Sequence, residues 1–311
     1  VTLPANRIFS PLESLPHLLE SRHPQWFLEA ESGSFFSLWG LREVLYEKQS
    51  EYQLIQLADF VELGRTLILD GRIQMAESDE YIYHDMLVHP AMVMAQNIER
   101  VLILGGGDGC ALREVLKWRD VKKVCLVEID EAVIETFRER FPEWTQGAFE
   151  DERATVRISD ALTVLNEDET WDVIISDLTE PYDDSGDSGK LSQRLFTKDF
   201  FSAIGGKLRE RGIFAAQTGG IRLGGPLDAH HVEIVKTIRS AFPLIRIAYE
   251  YIPSFNSMWT TTFATLSLSS ARMSDPPVHH ALARNGLQLR YYTPGTHRRL
   301  FTAPPEIRAL Y

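Results

Sequence analysis

Four acidic residues, Asp108, Glu128, Asp160 and Asp177, each follow a short apolar run, and this recurrence is the chemistry-bearing pattern of the sequence. The first lies in Val101-Leu-Ile-Leu-Gly-Gly-Gly-Asp-Gly109, where the apolar run turns through glycines into the helical composition of Cys110 to Trp118. Glycines there let the backbone bend sharply and approach a ligand closely. A phosphate cradle at a helix N-terminus wants bare N–H groups and a positive field, and a carboxylate opposes both. The dinucleotide spacing G-x-G-x-x-G also fails, because Cys110 stands where a glycine is required. A cationic ligand suits Asp108 better. One acid at a strand end is ordinarily a helix cap or a turn residue. Four in succession describe the rim of a binding site.

Ligands of open parallel sheets sit beyond the carboxyl ends of the strands. Glu128, twenty residues after Asp108, falls where an acid accepts hydrogen bonds from ribose hydroxyls. Asp160 is placed to accept from an adenine amine, with the N–H of Ala161 facing a ring nitrogen. Asp177 is left near the topological switch, where chemistry would occur. The combination describes a nucleoside carrying positive charge toward Asp108, which a sulfonium nucleoside satisfies. Two reactions use one: methyl transfer from S-adenosylmethionine and aminopropyl transfer from its decarboxylated form. Asp108 would repel the carboxylate of the first and attract the lone amine of the second, so charge favours aminopropyl transfer, although an acid in this loop could also hold the α-amine of the undecarboxylated cofactor.

The elements that must position these acids alternate. Strand patterns at 101–105, 121–128, 154–158, 171–176 and 212–217 are separated by helical patterns at 110–118, 131–141, 160–166 and 197–208. A helix at 229–242 is followed by strands at 246–252 and 260–268 with no helix between them. The expected fold class is therefore α/β: a methyltransferase-like doubly wound seven-stranded sheet, preceded by a small antiparallel β domain. Strands of that domain are expected at 35–39, 41–46, 52–57 and 66–69, with turns at Gly33, Gly64 and Gly71. Residues 81–89 read as a helix leading through Pro90 into a second one that ends near Asn97. The expected domains are 1–82, an N-terminal segment and the small β domain; 83–270, the Rossmann-like catalytic domain; and 271–311, an extension wrapping it.

Composition bounds the partners. The 311 residues carry 32 basic and 44 acidic side chains, a formal charge of -12, which opposes nucleic acid and favours small cations. No apolar run approaches the ~20 residues that cross a bilayer, and no signal peptide precedes the first strands, so a cytoplasmic location is expected. Cys110 and Cys125 read as core thiols. The pairs His230-His231 and His279-His280 lack a carboxylate at ligand spacing, so no metal is expected.

With these motifs in hand, the sequence resembles the spermidine synthase family of polyamine aminopropyltransferases over about Leu41 to Ser267. The resemblance rests on Ser50-Glu-Tyr-Gln53, Leu69-Asp-Gly-Arg-Ile-Gln74, Asp79-Glu-Tyr-Ile-Tyr-His84, Gly105-Gly-Gly-Asp-Gly109, Leu112-Arg-Glu-Val-Leu116 and Glu128-Ile-Asp130. It implies that Gln53 and His84 contact the aminopropyl donor beside Asp108, Glu128 and Asp160. It also implies that Tyr83 orients the acceptor amine and that Asp177 is the general base. An alkylamine with a pKa near ~10.4 needs one before it can attack carbon. Gln217 and Gln74 are weaker candidates for support of the site. The family needs no cofactor beyond decarboxylated S-adenosylmethionine as co-substrate, and implies a homodimer or homotetramer.

The sequence departs from the family around the acceptor. Glu180 replaces the aspartate that usually grips it, followed by a longer acidic loop with Asp183, Asp184 and Asp187. That loop is either a solvated lid or a holder of an extended polycation. Phe255 stands where many spermidine synthases place an acceptor-binding tyrosine. These features, with Gln217-Thr-Gly219, look more like the thermospermine and aminopropylagmatine branches, leaving putrescine, spermidine and agmatine as acceptors. The rival readings are an S-adenosylmethionine-dependent amine methyltransferase and a catalytically dead polyamine sensor. Retention of Tyr83 and Asp177 argues against the sensor.

Overall fold

The glycine-turn strand lies in the interior of a seven-stranded sheet. The computed structural model describes residues 25–32, 35–179, 192–221, 229–268, 271–303 and 305–308; the turn expected at Gly33 lies outside them. They form two compact units, one of residues 25–49 and 53–79, the other of residues 50–52 and 80–308.

The first unit is an antiparallel sheet of β1 (Gln25–Ser32), β2 (Phe35–Gln49), β3 (Leu54–Phe60), β4 (Gly64–Leu69) and β5 (Arg72–Ala76), in that spatial order. Its core is built on Ile55, Leu57, Phe60 and Leu67, all nearly inaccessible to solvent. The two strands expected at 35–39 and 41–46 are one strand, β2. Register shifts at Leu41/Glu43 and Val44/Tyr46 interrupt its alternation, so the sequence period breaks where the strand does not.

The second unit opens with α1 (Glu80–Met94), in which every residue from Tyr83 to Met94 is buried. A boundary drawn after residue 82 therefore cuts a helix. The break expected at Pro90 is absent: α1 runs straight through it. A helix-interior proline costs ~3 kcal/mol, whereas each large apolar side chain buried on either flank returns ~1.5–3 kcal/mol.

Then come β6 (Arg100–Gly105), α2 (Cys110–Leu116), β7 (Lys123–Glu128), α3 (Glu131–Arg140), α4 (Pro142–Thr145), β8 (Ala154–Ile158), α5 (Ala161–Val164) and β9 (Trp171–Asp177). After β9 follow α6 (Lys198–Lys207), β10 (Leu208–Ile221), α7 (Ala229–Ala241), β11 (Leu244–Ile252) and β12 (Ser257–Thr265). The sheet order is β11-β12-β10-β9-β6-β7-β8, with β12 antiparallel to both of its neighbours. The chain winds outward from β6 to β8 and returns to β9 on the other side, which makes the β6/β9 boundary the switch point. Register across it pairs Gly105 with Asp177. One face of the sheet is filled by Leu102, Leu104, Ile174, Phe201, Phe214 and Phe242, the last two stacked 5.7 Å apart.

The C-terminal segment carries α8 (Ala271–Ser274), α9 (Val278–Asn285), α10 (Pro294–Leu300) and α11 (Pro305–Arg308). Its backbone is tied to α1, where one oxygen of buried Asp85 accepts the N–H groups of both Tyr291 and Tyr292 at 2.9 Å. Among the described residues no helix is long and apolar enough to cross a membrane.

Candidate active site

Glycine dictates the shape of the β6–α2 turn. At Gly105 φ is +79°, and a Cβ would stand 2.2 Å from the carbonyl oxygen of Asp177. A Cβ on Gly107 would meet the Glu128 side chain at 2.9 Å, and one on Gly109 the ring of Phe149 at 2.7 Å. The loop is thus pressed between the ends of β9 and β7, and the absence of side chains is what lets their two acids approach it.

Asp108 does two things at once. Its Oδ1 accepts the N–H of Cys110 at 2.7 Å, as a helix cap would, and lies 3.7 Å from Nε2 of His84. Glu128 accepts the N–H groups of Ile129 and Asp130 at 2.8 and 2.9 Å. Burial outweighs these bonds and pushes its carboxyl up to about 7. Asp130 caps α3 through Ala132 and accepts the hydroxyl of Ser50 at 2.7 Å.

Asp160 caps α5 by accepting the Leu162 N–H at 2.9 Å, and its second oxygen pairs with Arg194 at 2.8 Å. Both of its oxygens are therefore engaged. Ala161 is buried at the first position of α5.

Asp177 ends β9. Its Oδ1 accepts the hydroxyl of Tyr83 at 2.5 Å. Burial first, and the Asp108 carboxylate second, raise its pKa to about 6, against the lowering influence of His84 and of the Tyr83 hydrogen bond. His84 lies beside Tyr83 on α1 and is almost wholly enclosed. Burial disfavours its charge, but the hydrogen bond it donates to Glu80 and the carboxylates of Asp108, Glu80 and Asp177 prevail and hold it near 9. The imidazole is thereby set among acids. Tyr83 also begins a row of rings, 5.7 Å from Phe255, which is in turn 4.5 Å from Trp259. Phe255 sits on the short turn Pro253–Phe255 between β11 and β12. Gln217 is spent on structure: its amide donates to the Leu178 carbonyl at 2.5 Å and accepts the Gly219 N–H at 3.1 Å, shaping the chain just after Asp177.

The second unit thus brings together Tyr83, His84, Asp108, Glu128, Asp177 and Phe255. Gln53 and Gln74 belong to the first unit, and the Gln74 amide faces the Arg72 carbonyl at 3.5 Å. Glu180, Asp183, Asp184 and Asp187 lie outside the described residues.

Three side chains to which the motifs assign no role, Glu80, Arg113 and Glu114, stand behind the site. Glu80 accepts from His84 Nδ1 at 3.1 Å and from Arg113 at 2.8 Å. Arg113 also donates to Glu114 at 2.8 Å and to the Trp144 carbonyl at 2.7 Å. Glu114 meets His89 Nε2 at 3.1 Å, as Asp85 does, while Trp118 donates to His89 Nδ1 at 3.1 Å. The indole is a donor only, so Nδ1 of His89 is bare and its proton sits on Nε2. A signal for two of these pairs is present in the sequence: Glu80–His84 and Asp85–His89 are each spaced i, i+4, one turn apart on one face of a helix. Groups of His, Cys, Asp and Glu atoms lying within 4.8 Å of one another occur here too, as Glu80/His84/Cys110, His84/Asp108/Asp177 and Asp85/His89/Glu114.

A doubly wound sheet with a glycine turn, an acid at the end of β7 and a half-buried carboxylate at the switch point belongs to the class of folds that bind nucleotide-like ligands in that crevice. Within that class the chain matches the spermine/spermidine synthase domain over residues 80–271 and the spermidine synthase tetramerisation domain over 25–77, and it belongs to the spermine/spermidine synthase family. A polyamine aminopropyltransferase of Sulfolobus acidocaldarius is 33% identical over 285 residues, 91% of this chain and 92% of that protein. Polyamine aminopropyltransferase 1 of Hyperthermus butylicus is 38% identical over 265 residues, 84% of this chain and 88% of that protein. Among solved structures, a spermidine synthase in complex with the transition-state analogue AdoDATO superposes with a TM-score of 0.83 at 32% identity, covering 93% of this chain and 95% of that one. The spermidine synthase of Thermotoga maritima superposes with a TM-score of 0.79 at 30% identity, covering 93% and 94%.

Proposed function

We propose that this protein transfers the aminopropyl group of decarboxylated S-adenosylmethionine to an amine of a polyamine acceptor and releases 5′-methylthioadenosine. The observation that carries this reading is the register of Gly105 with Asp177, which sets a donor loop bearing Asp108 directly beside the half-buried Asp177 carboxylate. Glu128 holds the ribose hydroxyls, and Asp160 with Ala161 the adenine. Asp108 and His84 line the aminopropyl arm, to which the family resemblance also assigns Gln53. Tyr83 orients the acceptor, and Asp177 accepts its proton as the nitrogen forms a bond to the carbon next to sulfur. The C–S bond breaks and the thioether leaves neutral. Holding the two substrates in line supplies much of the rate.

Discrimination against intact S-adenosylmethionine is assigned to Asp108. A like-charge pair ~6 Å apart in an effective dielectric of ~20 costs about 3 kcal/mol, on the order of 100-fold in affinity. Isothermal titration is expected to find the decarboxylated form bound tighter by about that factor, with most of the gap lost in Asp108→Asn. Tighter binding of the intact cofactor by the native protein would favour a methyltransferase instead.

Acceptor binding is assigned to Tyr83, Asp177 and Phe255, to which the sequence adds Glu180, outside the described residues. Phe255→Tyr returns a hydroxyl beside Tyr83, and one hydrogen bond to a charged amine is worth about 1.5–3 kcal/mol. Assays on putrescine, spermidine and agmatine are expected to find putrescine use raised roughly tenfold relative to the longer amines. An unchanged ranking, or an exclusive preference for putrescine in the native protein, would remove the idea of a modified acceptor pocket. The protein is further assigned to the cytoplasm, which the two unpaired buried thiols Cys110 and Cys125 suit. It is assigned to a dimer or tetramer joined through the N-terminal sheet, where Leu38 and Val44 of β2 remain 44% and 50% exposed.

A further inference from the structure

The β9 carboxylate and the α1 imidazole compete for a proton. His84, Asp108 and Asp177 place one ligating atom each within 4.8 Å of one another, in a region closed to solvent at His84. Two arrangements of a single proton are open to the pair: imidazolium with carboxylate, or imidazole with carboxylic acid. Asp177 can act as a base in the first arrangement alone.

The geometry points to Glu80, fixed by Arg113, as the positioning residue that keeps this shared proton on His84 and off Asp177. This inference rests on the assignment of Asp177 as the base. Nδ1 of His84 faces two acceptors, the Glu80 carboxylate at 3.1 Å and the Glu80 carbonyl at 2.8 Å. A ring nitrogen between two acceptors carries a hydrogen, so the second hydrogen of the imidazolium is the one on Nε2, directed toward Asp108. Glu80 cannot turn away, because the Arg113 guanidinium grips it at 2.8 Å and is itself held by Glu114 and the Trp144 carbonyl.

The other groups facing His84 divide by sign. Glu80 and Tyr83 come from its own helix, Asp108 from the glycine loop, Asp177 from β9, and Cys110 with Arg113 from α2. Burial keeps the Cys110 thiol protonated, so it adds no charge. Asp108 lies near both members of the pair, raising the pKa of each, and does not decide between them. Of the pair, Glu80 touches His84 and not Asp177, and its carboxyl is held down at about 2, against the cost of burial, by His84 and Arg113. Its charge therefore biases the proton toward His84 in a coupled two-site system.

The test uses the full-length protein in two measurements. In the native protein, 15N shifts of His84, assigned by loss of the signal in His84→Asn, are expected to report an imidazolium at pH 7.5. A neutral ring there overturns the inference without any reference to activity. In Glu80→Gln the proton passes in part to Asp177, so kcat/KM is expected to fall roughly tenfold at pH 7 and to return toward the native value near pH 9, where the pair has lost its last proton. Glu80→Asp, which keeps the charge, is expected to retain the native pH profile. A loss equal at every pH, or equal in the Gln and Asp variants, marks a merely structural role and also overturns the inference. If Asp177 is not the base, the His84 shifts still respond to Glu80→Gln while the pH profile does not, which separates the two failures.

Discussion

Asp177→Asn is expected to lower kcat about a thousandfold, within the 10²–10⁴ range of a positioned general base, while donor affinity changes by less than about threefold. Asparagine keeps the shape and still accepts from the Tyr83 hydroxyl, so the rings of Tyr83 and Phe255 keep their places. What is lost is the acceptor for the proton that leaves the nucleophilic amine. The pH dependence gives a second reading of the same group. Because burial and Asp108 raise Asp177 to about 6, the base form predominates above that pH and disappears below it. The kcat/KM of the native enzyme should therefore fall as pH drops through about 6, well above the ordinary carboxylate range near ~3.9. Steady-state assays from pH 5 to 9, with titration calorimetry for the donor, check both parts. An Asn variant that keeps its turnover would remove Asp177 from the chemistry.

Gly105→Ala is expected to be nearly as damaging for a different reason. A methyl group there stands 2.2 Å from the Asp177 carbonyl oxygen and 2.9 Å from its carbon, at φ +79°. Left-handed backbone costs an alanine ~1–2 kcal/mol. Forcing backbone apart in a packed core adds ~1–3 kcal/mol. The sum, about 2–5 kcal/mol, is a large share of the 5–15 kcal/mol typical of a folded domain. A fall in Tm of roughly 5–10 °C is expected, with activity reduced about a hundredfold or more even where the chain is folded, because the displaced strand end carries the base. Gly71 is the natural comparison: it has φ +78° and nothing within 4 Å of the place its methyl group would take, so Gly71→Ala should cost only the backbone term. Equal Tm values for the two variants would refute the steric account.

The strands and helices around Asp108, Glu128 and Asp177 were legible because a parallel sheet leaves long apolar runs broken by turns, and acids at the ends of such runs stand out. The antiparallel edge was legible too, from the missing helix between 252 and 260. Two things were hidden. Pro90 reads as a stop in any local rule, and only the burial of twelve consecutive residues, Tyr83 to Met94, explains why α1 ignores it. Arg113 and Glu80 stand inside the quoted motifs with no role of their own. Their burial depends on α1 and α2 lying side by side, a tertiary fact no spacing contains, although the i, i+4 relation of Glu80 to His84 was in plain view. Asp160 was legible as an acid at a strand end, but not the engagement of its second oxygen by Arg194, thirty-four residues away in sequence.

The pairing of Gly105 with Asp177 divides labour along a single seam in the sheet. On one side β6, β7 and β8 present the residues assigned to the sulfonium nucleoside. On the other, β9 and the β11–β12 turn present the residues assigned to the amine. Backbone hydrogen bonds between two parallel strands keep the halves in a fixed relation, so side chains on the turn, Phe255 among them, can be exchanged without moving the nucleoside half. A scaffold of this kind can diversify its products while its co-substrate stays constant.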